Sequence, residues 1–598
     1  MYRIGLGLLA CLGIALLFAA PVPVPVAGIV SNVAHRATTS LDGSWRIIID
    51  PYESGVDQRF YENRKPKSPS DRVEYDFDTS EPLKVPGDWN TQAEKLLLYE
   101  GLVWYEHPFT HANRPGRRTF LYFGAANSHA WVYLNGVKLG EHAGGFTPFA
   151  FEVTNTLRDG NNFVVVAVSN GRRADGVPAL VTDFWNYGGL TRHVMLVETP
   201  GVFIRDYLVQ LAPGSRKQLA GWVQLDGVTK PESVTLRIPE AGIEQRMTTD
   251  AAGRAEFQFP AELDLWSPAH PKLYKVSLSA ADDTVDDEIG FRTIEARGAK
   301  ILLNGAPIFL RGISMHEEAP LRGGRAFSAE DDRILLQWAK DLGCNFVRLA
   351  HYPYNEDMVR LADRMGLLVW EEIPVYWQLD WQNPATFQNA DQQLRELVAR
   401  DRNRASVIFW SVGNETPASP PRTEFLKRLA STARQLDASR LITAAFTAPR
   451  AQQPFVRTFT DPAGDALDVI GVNEYVGWYD GAPEDAERTH WSSAYAKPMI
   501  LSEFGAGAPY GRHGSDSAVW TEEYQARVYE HQIRMIEQMP DLAGMSPWVL
   551  MDFRSPRRWL PGIQDFYNRK GLISGAGERK KAFFVLQDFY RARAAREK

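Results

Sequence analysis

After Glu295 the chain changes texture in a way few folds accommodate. Eight short apolar segments follow one another: Phe309 to Ile313, Phe346 to Leu349, Leu367 to Trp370, Val407 to Trp410, Leu441 to Phe446, Val469 to Val472, Met499 to Leu501 and Trp548 to Leu550. Between them, Ala329 to Leu342, Met358 to Met365, Gln392 to Arg400 and Glu424 to Leu436 carry helical periodicity. Strands buried on both faces read as continuous apolar runs rather than as alternation. Eight such units in about 300 residues have the count and size of a closed (β/α)8 TIM barrel. In that architecture chemistry belongs at the C-terminal ends of the strands.

The preceding half is all-β. Leu121-Tyr122-Phe123, Ala130 to Leu134 and Phe163 to Val168 are rich in aromatic and β-branched residues, and Asn135-Gly136 is a hairpin turn. The segment 38–199 is therefore expected to be a jelly-roll β-sandwich. Trp222 to Leu225, Ser233 to Ile238 and Leu273 to Leu278 alternate with period two, which suits an immunoglobulin-like β-sandwich over 200–295. The barrel then occupies 296–598, giving a multidomain chain.

The N-terminus reads as an export signal over residues 1–28. Arg3 precedes the uncharged apolar run Ile4 to Ala20, and a Pro/Val/Ala-rich stretch follows to Gly28. An uncleaved anchor is the alternative, with a run at the short limit of a membrane span. Location outside the cytoplasm, periplasmic or secreted, is the expectation. Of two cysteines, Cys11 lies in this segment, and Cys344 sits in an apolar context that suits packing. No cysteine or histidine cluster has metal-ligand spacing, and no cofactor is implied. A net charge of -7 argues against nucleic acid as a partner. His129, His142 and His193 fall in the first β block and read as structural.

Two glutamates stand at the exits of apolar strands. Glu415 follows Val407 to Trp410 and Ser411-Val412-Gly413-Asn414; Glu503 follows Met499-Ile500-Leu501-Ser502. A carboxylate there is costly unless paired, hydrogen-bonded or used. The fourth and seventh strands lie on opposite sides of an eight-stranded barrel, so these side chains can face each other across its mouth. Two carboxylates on one bond are the equipment of a retaining glycosidase, which needs them roughly 5–5.5 Å apart. Glu415 is expected to be the acid/base, Glu503 the nucleophile, and Asn414 a hydrogen-bond partner of the sugar 2-hydroxyl.

Asn414-Glu415 after an apolar strand, followed by Ser502-Glu503-Phe504-Gly505, resembles glycoside hydrolase family two. That family joins a jelly-roll, an immunoglobulin-like sandwich and a (β/α)8 barrel in this order. Several stretches look most like its β-glucuronidases. Asp183-Phe184-Trp185-Asn186-Tyr187-Gly188-Gly189 resembles the first-domain loop whose aspartate reaches the sugar. Arg348 to Pro353, containing His351, resembles a family strand end, as does Ser314-Met315-His316-Glu317. Asn473-Glu474-Tyr475-Val476-Gly477-Trp478-Tyr479 resembles the sixth, where Asn473, Tyr475 and Tyr479 would flank the nucleophile. Asn568-Arg569-Lys570-Gly571 resembles the signature that binds the substrate carboxylate through Asn568 and Lys570. Trp478 and Trp548 are candidate walls of the sugar pocket.

The resemblance implies a retaining exo-β-glycosidase acting on terminal β-D-glucuronides or related uronides, with a carbohydrate as its partner. Two departures leave a β-galactosidase or other neutral-sugar hydrolase open. Gln564 stands where an arginine is common, although Arg557 and Arg558 are near, and Glu474 replaces another arginine. A non-catalytic carbohydrate-binding protein is the reading from a different class. Oligomeric state, a homo-oligomer included, is left open.

Overall fold

The computed structural model describes residues 29–597, apart from 69, 72 and 450–453. The segment read as an export signal lies outside the described residues. The N-terminal block is two antiparallel sheets face to face. A four-stranded sheet runs Ala37–Ser40, Val194–Pro200, Arg117–Phe123, Phe149–Glu152. The six-stranded partner runs Pro82–Val85, Gly43–Asp50, Leu102–His111, Gly160–Ser169, His129–Leu134, Val137–Ala143. Trp45, Val103, Leu121, Phe123, Val132, Val166 and Leu196 fill the space between them. Alternation places these side chains inward and their neighbours outward. Asn135 and Gly136 both adopt left-handed backbone, as the predicted hairpin requires.

A second sandwich pairs Phe203–Leu211, Gln218–Asp226 and Arg254–Pro260 with a four-stranded sheet formed by Ile243–Thr248, Ser233–Ile238, Tyr274–Ala280 and Asp283–Ile289. It is fastened to the barrel by buried charge. Asp287 accepts from Arg360 at 2.9 Å, from Tyr207 at 2.6 Å and from Arg404. Such a cluster tolerates burial because each charge has partners.

The barrel is closed and parallel. Its strands are β1 (Leu310–Met315), β2 (Phe346–Leu349), β3 (Leu368–Glu372), β4 (Val407–Asn414), β5 (Leu441–Thr447), β6 (Ile470–Asn473), β7 (Met499–Glu503) and β8 (Leu542–Met545). Leu310 and Arg311 pair with Gly544 and Met545 at the closing seam. A small sheet, Ile294–Arg297, Lys300–Leu303 and Ala306–Ile308, packs Ile301 and Leu303 against Phe346, Leu368, Trp370 and Phe409.

The eighth strand corrects the sequence expectation. Leu542-Ala543-Gly544-Met545 has no β-branched or aromatic residue, so its propensity is weak, whereas the apolar Trp548-Val549-Leu550 is irregular and follows the strand. The helix Ala329–Leu342 starts and stops as read, with a Ser328/Asp331 capping box. Pro384–Asp401 and Pro420–Leu436 begin earlier than their apolar pattern, because Asn383 and Ser419 cap them and a proline occupies the first turn. Glu522–Glu537 and Lys581–Arg596 were not anticipated. The first buries Gln525 and Gln532, which blurs its apolar stripe.

Candidate active site

β4 and β7 are apolar until their last residues, and each then delivers a glutamate to the same end of the barrel. Glu415 leaves β4 in left-handed backbone (φ 50°), a conformation that a non-glycine residue adopts at a cost and that recurs at functional sites. Glu503 closes β7, paired in register with Asn473 of β6. Both carboxylates line a cavity of about 830 Å³, which also takes in Asp183, His351, Asn473, Tyr475, Tyr479, Trp548 and Lys570. That volume holds a monosaccharide with part of its leaving group. Asn414 and Asn568 stand immediately behind this lining, bonded to Asn473 and Asp183 respectively. All eleven predicted positions therefore converge.

Glu503 is buried, and each of its oxygens has a donor. Arg348 Nη1 reaches Oε1 at 2.7 Å, and the Tyr475 hydroxyl donates to Oε2 at 2.9 Å. Burial pushes its pKa up to about 8; Arg348 opposes that shift, the charge of Glu415 adds to it, and the donors oppose it. In the structure the raised carboxyl is the expected nucleophile, and burial is the larger cause.

Arg348 was not singled out from the sequence, yet it organises the floor. It also donates to Glu372 at 3.0 Å and to Asn414 Oδ1 at 2.7 Å. A lone arginine inside the apolar run Phe346-Val347-Arg348-Leu349 was the available signal. Its contact fixes the Asn414 amide orientation, since only the oxygen accepts. Asn473 Nδ2 donates to that same oxygen at 3.1 Å and Ser502 donates to Asn473 Oδ1 at 2.7 Å. Asn414 Nδ2 is left buried without a partner among the described residues. His351 places Nδ1 2.8 Å from Glu372, which requires the proton there and leaves Nε2 as acceptor in the neutral ring. Its ring stacks on Trp548, 4.9 Å between centroids.

The opposite wall is cationic. Lys570 is buried with its ammonium 2.7 Å from the Tyr479 hydroxyl, its one side-chain hydrogen-bond partner among the described residues. The rings of Tyr475, Trp478 and Tyr479 surround it at 5.5, 5.6 and 4.7 Å. Burial holds its pKa below the usual lysine value, and Tyr479 works in the other direction. Trp478 thus backs the lysine instead of walling the sugar pocket, packed edge-on against Trp520 at 4.8 Å. The loop carrying Asn568 and Lys570 is anchored beneath by Asp552, which accepts from Gly571 N at 2.9 Å and Lys580 Nζ at 2.7 Å. A Cβ on Gly571 would lie 2.1 Å from Asp552 N, so glycine is required there.

Asp183 arrives from the jelly-roll. It accepts from Ser555 Oγ at 2.6 Å, Asn568 Nδ2 at 3.2 Å and the Arg558 guanidinium, whose Nη1 also reaches the Tyr479 hydroxyl at 3.2 Å. Arg557 and Arg558 line the cavity, and Gln564 does not. Glu474 turns away: its Oε2 accepts from Val476 N at 2.8 Å, outside the cavity lining, and burial raises its pKa to about 7. His142 is structural, 3.1 Å from Glu396, and His193 bonds Asp42 at 2.6 Å. Cys344 is buried in the barrel core.

Comparison with known proteins agrees with this geometry. Residues 38–200 match the sugar binding domain of the glycosyl hydrolases family 2, and residues 294–591 match its TIM barrel domain. A β-glucuronidase of Paenibacillus borealis is 29% identical, covering 92% of this chain and 96% of the relative. The β-glucuronidase of Canis lupus familiaris is 30% identical over 93% of this chain and 91% of its own length. Among solved structures, an uncultured Clostridium sp. β-glucuronidase superposes with a TM-score of 0.82 at 26% identity, covering 96% of this chain and 99% of that one. A Ruminococcus gnavus β-glucuronidase in complex with D-glucuronic acid gives 0.80 at 26% identity, over 93% and 98%. With two domains matched in order and a 30% identical relative covered nearly end to end, the chain belongs to the glycosyl hydrolases family 2.

Proposed function

We propose that this protein is a retaining exo-β-glucuronidase, removing terminal β-D-glucuronic acid by double displacement. The observation that carries the sugar assignment is Lys570: an ammonium buried at the cavity wall, with an aromatic cage and no carboxylate within ion-pair distance among the described residues. A buried cation without a counter-ion is costly, and a C6 carboxylate supplies the missing charge. Asn568 stands beside it as an amide donor. The names of the related proteins support the same substrate.

The chemistry follows from the two carboxylates. Ionised Glu503 attacks the anomeric carbon while Glu415 gives its proton to the glycosidic oxygen, and the C–O bond to the leaving group breaks. Water then enters; Glu415 takes its proton, and the hydroxide oxygen displaces Glu503 with net retention. Arg348 and the Tyr475 hydroxyl favour the ionised nucleophile. Asn414 Nδ2 is free to donate to the sugar 2-hydroxyl.

The assignment is tested by hydrolysis of aryl β-glucuronide, β-galacturonide, β-galactoside and β-mannoside side by side. Glucuronide is expected to lead the two neutral sugars by at least the roughly 10- to 150-fold that one charge-assisted contact supplies. Faster turnover of a neutral sugar would reject it. Export is proposed as well, supported by the Arg3-led apolar run Ile4 to Ala20; N-terminal sequencing of the protein from the native host checks it.

A further inference from the structure

Glu415 has one side-chain hydrogen-bond partner among the described residues, and it is not a titratable group. The indole Nε1 of Trp377 lies 3.0 Å from Glu415 Oε2. Trp377 follows β3 and, like Glu415, adopts left-handed backbone, with φ 53°. Two bulky residues in that region, facing each other at the mouth of a barrel, mark a geometry imposed by the surroundings. Backbone bonds impose it here. Trp377 N donates to Asn414 O at 3.0 Å, and Asn414 N donates to Val375 O at 2.9 Å, stitching the exits of β3 and β4 together. The Tyr376 ring stacks on the indole with centroids 4.5 Å apart and is itself packed on His351 at 4.8 Å. The half-buried indole is held toward Glu415 by this stacking and by the backbone pairing.

An indole N–H donates and never accepts. Oε2 of Glu415 is therefore committed as an acceptor. When Glu415 carries a proton, that proton sits on Oε1, the oxygen with no protein partner. We propose that Trp377 is a positioning residue that fixes the proton of Glu415 on Oε1 and holds the carboxyl plane toward the glycosidic oxygen. The inference rests on the reading of Glu415 as the acid/base. A carboxylic acid with two equivalent oxygens presents the wrong one part of the time, and a misplaced proton donor loses much of its catalytic effect.

Leaving-group dependence separates positioning of a proton from general damage. A poor leaving group needs the proton; a very good one departs without it. Trp377→Phe removes the N–H and keeps an aromatic ring beside Tyr376. On phenyl β-D-glucuronide, kcat/KM is expected to fall by roughly 10- to 100-fold, part of the 10²–10⁴ that acid catalysis supplies. On 2,4-dinitrophenyl β-D-glucuronide the fall is expected to be far smaller. Equal loss on both substrates, or loss on neither, overturns the proposal. Trp377→Leu, read on the same pair, serves if the phenylalanine variant does not fold.

Glu415→Ala tells the two ideas apart. An acid/base variant spares the dinitrophenyl substrate at the first step and is rescued by azide, which attacks the anomeric carbon, displaces Glu503 and leaves as a glycosyl azide without needing a base. If Glu415→Ala shows neither behaviour, the role of Glu415 is wrong. If it shows both while Trp377→Phe shows no leaving-group dependence, the role of Trp377 alone is wrong.

Discussion

Nη1 of Arg348 lies 2.7 Å from Oε1 of Glu503, placing a permanent cation against a carboxylate whose burial favours the protonated form. Burial outweighs the opposing pull of Arg348 and Tyr475, and the balance leaves Glu503 raised to about 8. The nucleophile is therefore poised by opposed effects.

Removing a donor to the ionised form moves that balance upward. Tyr475→Phe takes away the 2.9 Å hydroxyl contact, so a higher pH is needed to ionise Glu503. The acidic limb of the kcat/KM profile is expected to move to higher pH. Below that limb, activity should fall by roughly tenfold, the size of a 1.4 kcal/mol contact. A limb that stays in place, measured across a pH series, contradicts the arrangement.

Lys570→Ala should act on substrate choice. Turnover of 4-nitrophenyl β-D-glucuronide is expected to drop by roughly 10- to 150-fold in kcat/KM, the range for a charge-assisted bond, while a β-galactoside changes little. Equal losses on both sugars would show that the lysine supports the loop and does not read the carboxylate.

Glu503→Gln should abolish turnover and leave binding of glucuronic acid intact, read by calorimetry. Amide and carboxylate have nearly the same shape; the amide oxygen stays with Arg348, and the Tyr475 hydroxyl, which can also accept, turns to take the amide N–H. A protein that only binds carbohydrate would show no turnover to lose.

Glu474 gives a stability prediction. Its Oε1 and the Oε1 of Gln532 are both buried without partners, and burial holds the Glu474 pKa at about 7. A proton on Glu474 removes a buried charge. Because the folded value lies above the unfolded one, its stability contribution is complete below about pH 4.5 and is lost as pH rises through 7. Glu474→Gln carries a permanent donor. Its melting temperature is expected to match the parent at pH 5 and exceed it at pH 8, by up to about 3 kcal/mol in stability. No gain at pH 8 would show that the carboxylate is satisfied as it stands.

Much of this protein was legible in its residue order. Continuous apolar runs separated by helical periodicity determined a barrel, because strands covered on both faces leave no polar side to write. A glutamate ending such a run marked Glu415 and Glu503, since burying a carboxylate without use is expensive. Period-two alternation and Asn135-Gly136 marked the sandwiches. These signals are local, carried within about ten residues by the pitch of a strand or helix.

What remained hidden was settled by distance in space. β8 lacks strong strand formers and exists because Leu310 and Met499 offer it edges on both sides. Asp183 meets Asn568 and Arg558 only after the jelly-roll docks on the barrel mouth. Arg348 reaches Glu503, Glu372 and Asn414 because barrel closure brings β2, β3, β4 and β7 around one axis. The charge of a buried group is decided by which partners surround it. Those partners come from strands and domains far apart in the chain, so tertiary packing, not residue order, determined which carboxylate is raised and which oxygen is free to carry a proton.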